Sequence, residues 1–191
     1  MKKNISKKGF TLVEIMVSVS LFAVVMTISV GALLSLIDAN RKAQALNSVI
    51  NNLNFAMENM SRNFRIGSNY HCSSLASVPP NSDTPQDCPS GGVLVAFEGY
   101  SGDNEDSTDQ IFYRFVDSHI EKSTDGGATF ISITASEVVI DEMKFYVIGA
   151  PLGDNIQPRI TMIAKGTVSF GSGSETSFNL QTTVSQRLLD L

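Results

Sequence analysis

From Phe10 through Ile37 the chain runs apolar or small for 28 residues, with no proline and one charged side chain, Glu14. No other feature constrains the fold as strongly. A helix of that length spans roughly 42 Å at about 1.5 Å per residue, more than the roughly 30 Å of a bilayer's hydrocarbon core. Lys2, Lys3, Lys7 and Lys8 all precede the run and no acid does. The positive-inside rule therefore leaves the N-terminus in the cytoplasm, with a single pass through the membrane, and places everything after Ile37 outside.

The exported part is acidic. Without the first nine residues Lys+Arg falls from 14 to 10 while Asp+Glu stays at 19, so the formal net charge goes from −5 to −9. Such a surface argues against nucleic acid as a partner. Cys72 and Cys88 also lie in this part, separated by a segment with three prolines. Outside the cytoplasm they are expected to form a disulfide rather than two free thiols, with no third cysteine to compete.

Helical character continues past Asp38, because neither proline nor glycine appears between Asp38 and Gly67. Leu46, Val49, Ile50, Leu53, Met57, Met60 and Phe64 follow three-and-four spacing and form one apolar stripe. With Gly67 as terminator and Arg62 and Arg65 in the last turn, a single helix is predicted from about Phe10 to Ile66. Ser68 to Gly92 reads as a Ser/Pro/Asn-rich loop. The period then changes: residues 93–99, 110–116, 119–123, 129–134, 137–149, 159–170 and 175–186 are rich in β-branched and aromatic residues. Five to seven antiparallel strands follow, with Asp125-Gly126-Gly127 and the "GSGS" of residues 171–174 as hairpin turns. Phe178, Leu180, Thr182 and Val184 share one face, whereas alternation across residues 111–116 is imperfect. The expected class is α+β, with a one-faced antiparallel sheet burying its apolar side on the second half of the helix.

The string "KKGFTLVEIMVSVSLF" (residues 7–22) combines a basic leader ending in Gly9, then Phe10, Thr11, Leu12, an aliphatic residue and Glu14, then the long apolar helix. It resembles the class III signal of type IV prepilins and type II secretion pseudopilins. The resemblance implies cleavage between Gly9 and Phe10 by a prepilin peptidase, methylation of the new Phe10 amine, and retention of the apolar helix. It further implies a pilin-like fold, with other pilin or pseudopilin subunits, membrane lipid and an inner-membrane assembly platform as partners. The strand-rich head, the stretch at residues 45–67 and the closing "FNLQTTVSQRLLD" look like minor pilin-like proteins of the GspJ and PilW type.

A physical reason for Glu14 stands beside the resemblance. A charged group deep in hydrocarbon costs roughly 2.5–3.5 kcal/mol on insertion scales, and a cut after Gly9 creates a positive amine at Phe10 that Glu14, on the same or a neighbouring helix, can neutralise. Axial slips leave both charges unpaired, so the pair also sets register. The competing readings are a lone acid favoured by the helix dipole and an ordinary signal peptide cut after Ser29-Val30-Gly31, for which the apolar region is too long.

The leader (1–9), the membrane and assembly half of the helix (10–38), its amphipathic half (39–66) and a disulfide-containing β-rich head (67–191) make the expected organisation. Asp103, Glu105, Asp106 and Asp109 offer oxygens for calcium but lack the EF-hand spacing, and a solvated loop is the expected state. His71 and His119 sit in no ligand-like cluster. No hydrolase, nucleotide-binding or zinc-protease motif is present, so neither catalysis nor a cofactor is expected. A membrane-anchored binding module with a β-sheet head is the alternative to a filament subunit.

Overall fold

The computed structural model describes residues 9–100, 102–103, 106–135, 138–170 and 174–187. One helix, α1 (Leu12–Ile66), precedes eight strands: β1 (Ser68–Ser73), β2 (Leu94–Glu98), β3 (Ile111–Val116), β4 (His119–Ser123), β5 (Ile131–Ser132), β6 (Ile140–Ile148), β7 (Arg159–Phe170) and β8 (Ser174–Ser185). The chain divides into two compact units, Met1–Gln44 and Ala45–Leu191. All the strands fall in the second. All pairings between strands are antiparallel, in the orders β1-β2-β3-β4-β5 and β6-β7-β8. The expected single sheet is thus two sheets, linked through the main chain by Gly92 and Phe145, which exchange hydrogen bonds of 2.7 and 2.9 Å, and by Ile140 N–H, which donates to Ser118 O at 3.1 Å.

In the second unit α1 packs on the sheets along the predicted stripe. Val49, Leu53, Met57, Met60 and Phe64 are buried, joined by Ala56, while Leu46 and Ile50 are half-buried. Fully burying a Leu, Met or Phe side chain contributes roughly 1.5–3 kcal/mol, so this stripe is the main attachment of helix to sheet. Phe64 is its centre, with its ring 5.0 Å from Phe97, 5.5 Å from Tyr113, 6.3 Å from Phe145 and 6.4 Å from Tyr70. Beside the stripe, the Tyr113 hydroxyl donates to Asn59 Oδ1 at 3.0 Å and accepts from Asn63 Nδ2 at 2.5 Å.

Gly67 ends the helix as predicted, but for a different reason. Its backbone is not left-handed; a Cβ there would overlap the Phe97 ring and lie 2.9 Å from the Glu98 carbonyl oxygen. The freed carbonyls at the helix end are satisfied from afar. The Tyr70 hydroxyl lies 2.5 Å from Phe64 O and 2.8 Å from Gly67 O, and Arg187 N–H donates to Arg65 O at 2.8 Å.

Two departures from the sequence reading concern Ser68 to Gly92 and the first sheet. The predicted loop begins with β1, whose Tyr70, His71 and Cys72 are buried, so His71 is a strand residue with Nδ1 2.7 Å from Thr84 O. The rest of the segment is stitched down by Cys72 N–H to Gln86 O, Gln86 N–H to Tyr70 O and Cys88 N–H to Val147 O. Cys72 and Cys88 are disulfide-bonded, with Cα atoms 5.7 Å apart. Replacing both by alanine is expected to lower stability by about 3 kcal/mol, the loop-closure value for this length; denaturant unfolding with and without reductant measures it.

The first sheet is not one-faced. All five residues of β2 are buried. Val95 and Phe97 face the main core, whereas Leu94 and Ala96 join Phe112 under Phe130 on the other side. The Arg114 guanidinium lies 3.5 Å from the Phe130 ring centre and pairs with Glu121 at 2.7 Å, completing this second cover. Here lies the cause of the imperfect alternation in β3. In β7, β8 and β6 beyond its bulge after Ile140, by contrast, inward and outward residues alternate, and Phe178 and Val184 are buried with Leu180 and Thr182 half-buried between them. Asp125-Gly126-Gly127 forms the turn after β4, where both glycines have positive φ and a Cβ on Gly126 would lie 2.6 Å from Ser107 O. The "GSGS" expected as a hairpin turn falls, at residues 171–173, outside the described residues.

Candidate functional site

The N-terminal segment is built from Gly9, Phe10, Thr11 and Glu14. Gly9 and Phe10 are exposed, and neither belongs to α1, which begins at Leu12 rather than at Phe10. Thr11 is the reason. Its Oγ1 accepts the Glu14 backbone N–H at 3.3 Å, while Glu14 Oε2 accepts the Thr11 backbone N–H and hydroxyl, each at 2.8 Å. This reciprocal arrangement is a capping box, with Thr11 as the N-cap and Glu14 three residues on. Its signature, Thr-x-x-Glu ahead of an apolar run, is legible in the sequence and marks Thr11 as the functional residue that reading by charge alone overlooks.

Glu14 consequently has a partner in the uncut chain. The acid is held against its own helix start, which satisfies one of the N–H groups a helix terminus leaves open. Gly9 is different: a Cβ there meets nothing within 4 Å, and among the described residues no turn or close approach calls for glycine.

Beyond the cap, α1 presents apolar side chains all around through Ile37, every one of them exposed. Its most apolar window has a mean hydropathy of 2.3 and none of it is buried, long and apolar enough to cross a membrane. The hydroxyls within the run donate back to the helix's own carbonyls: Ser20 to Met16 at 2.8 Å, Thr27 to Ala23 at 2.9 Å and Ser29 to Val25 at 2.8 Å. Each removes an unsatisfied donor from a surface suited to lipid.

The acidic candidates lie far along the chain, between β2 and β3. Asp106 accepts the Thr108 backbone N–H at 2.9 Å and its hydroxyl at 2.6 Å, and these bonds hold its carboxyl below the usual range. Asp109 accepts the Asp103 N–H at 3.2 Å. Glu105 lies outside the described residues. Among the described residues no three His, Cys, Asp or Glu side chains form a ready metal cluster.

No curated protein and no solved structure matches the chain. Residues 5–30 match the prokaryotic N-terminal methylation motif, which covers the end of the basic leader, Gly9, Phe10, Glu14 and most of the apolar run. A capped, wholly exposed apolar helix directly follows the junction. The chain therefore carries the N-terminal processing signal of a type IV pilin-like precursor, the kind of substrate a prepilin peptidase cuts.

Proposed function

We propose that the protein is a structural subunit, and a minor one of the GspJ/PilW type, of a type IV pilus or a type II secretion pseudopilus. Residues 1–9 are the leader, removed after Gly9, and Phe10 is then methylated. Residues 10–38 anchor the chain in the inner membrane and later pack against the same helix of neighbouring subunits. Residues 39–66 attach the head, residues 67–191, which stands outside the cytoplasm. The observation that carries this reading is the methylation motif at residues 5–30, coincident with the exposed apolar helix. Gly9 supports it, because a glycine with no steric reason inside its own chain suits recognition by a peptidase.

In this reading Glu14 changes partners. Before cleavage Thr11 holds the carboxylate; afterwards the Phe10 amine supplies an opposite charge, which pairs more strongly than a neutral hydroxyl in an apolar medium. The subunit performs no chemistry of its own. Mass spectrometry of the mature N-terminus tests the proposal. A chain beginning at methylated Phe10 is expected, whereas an intact Met1 or a start at Ala32 would overturn it.

A further inference from the structure

At the end of β2 a carboxylate is buried without a hydrogen bond to either oxygen. Glu98 is 1% exposed, and neither Oε1 nor Oε2 has a partner. Gln110, just before β3, is 0% exposed; its Nε2 donates to Ser82 O at 3.2 Å, leaving Oε1 equally buried and unpartnered. Three acceptor oxygens are thus withdrawn from water with no hydrogen bond of ordinary length and angle among the described residues, the Gln110 amide being the one polar neighbour that favours the Glu98 charge.

The surroundings are negative. Burial is the main cause that pushes the Glu98 carboxyl up to about 7; the Gln110 amide opposes it, and Asp109 and Asp103, from the loop joining β2 to β3, add to it. Among the described residues no lysine or arginine forms an ion pair with Glu98. The loop also crosses the carboxylate closely, since a Cβ on Gly102 would overlap Glu98 Oε2.

We propose that Glu98, Asp109 and the amide oxygen of Gln110 bind a calcium ion, which pins the β2–β3 loop to the head. The donor set is all oxygen and mixes carboxylates with a neutral carbonyl, as hard cations require. Calcium suits it better than magnesium, because ligands drawn from a strand end and a loop tolerate irregular geometry, and water completes the shell. Two carboxylates and an amide explain why no ready cluster of three acidic ligands is present. Asp103 adds long-range attraction. This site lies in the head and does not depend on how the chain assembles.

The test uses the full chain in detergent, stripped with a chelator and then given calcium or magnesium, with binding followed by calorimetry and thermal unfolding. Calcium at millimolar concentration is expected to bind one ion per chain and raise the unfolding midpoint by about 5 °C, with magnesium giving less. Asp109→Asn is expected to weaken calcium binding about tenfold or more, and Glu98→Gln to abolish the shift while the metal-free protein stays folded. No calcium response in the native chain, or an undiminished response in both variants, would overturn the site. So would stabilisation by acid alone without any calcium response, which assigns the stranded oxygens to a proton shared between Glu98 and Asp109.

Discussion

Phe64→Ala is expected to destabilise the second unit by about 3–5 kcal/mol, the range for truncating a buried phenylalanine. The side chain is fully buried, and its ring meets Tyr70, Phe97, Tyr113 and Phe145. These rings come from β1, β2, β3 and β6, so the cavity opens where both sheets meet the helix. Dense aromatic packing around it collapses poorly, which places the cost toward the top of the range. Unfolding of the full chain in detergent, followed by near-ultraviolet circular dichroism, should show the midpoint falling by about 10 °C. Phe55→Ala is the control: Phe55 lies on the same helix but is 65% exposed, and its loss should change stability by no more than about 0.5 kcal/mol. Equal effects of the two substitutions would mean that α1 does not attach through the Phe64 face.

The second large effect concerns assembly. Glu14→Ala is expected to leave membrane insertion and leader removal intact and to reduce sharply the fraction of subunit found in filaments, measured by shearing and immunoblotting. By itself this result does not separate charge pairing from loss of the helix cap, because Glu14 closes the capping box with Thr11. Glu14→Gln does separate them. Glutamine serves in a capping box as well as glutamate, so the cap survives while the negative charge is gone. If pairing with the Phe10 amine drives assembly, Glu14→Gln should be as defective as Glu14→Ala. Normal filament content in Glu14→Gln would make the cap the whole role of Glu14 and remove the pairing from the proposed function.

The helix was legible because both halves of its surface are written in local pattern. An unbroken apolar run needs no partner beyond lipid to be recognised, and the stripe from Val49 to Phe64 repeats at the helical period. β8 was legible for the same reason, since Phe178, Leu180, Thr182 and Val184 alternate over one buried face. Thr11 and Glu14 were also within reach: the spacing of a capping box is local, and only attention to charge hid it.

What local pattern could not decide is which distant segments cover one another. The period of β3 is blurred because Phe130, from beyond β4, closes the sheet's second face over Phe112 and Arg114, a contact that no window around Ile111 contains. β1 is hidden in a polar stretch, and its strand character comes from pairing with β2, hydrogen bonds to Gln86 and the bond to Cys88. Glu98 reads in the sequence as an ordinary polar strand end; only the loop folded over it, with Gln110 beside it, turns it into a buried carboxylate. By itself, then, the sequence determined the processing signal, the helix and its two kinds of apolar surface, because these depend on short-range chemistry and periodicity. The division into two sheets, the cover over β3 and the stranded oxygens of Glu98 and Gln110 were decided by tertiary structure, since burial there depends on residues far apart in the chain.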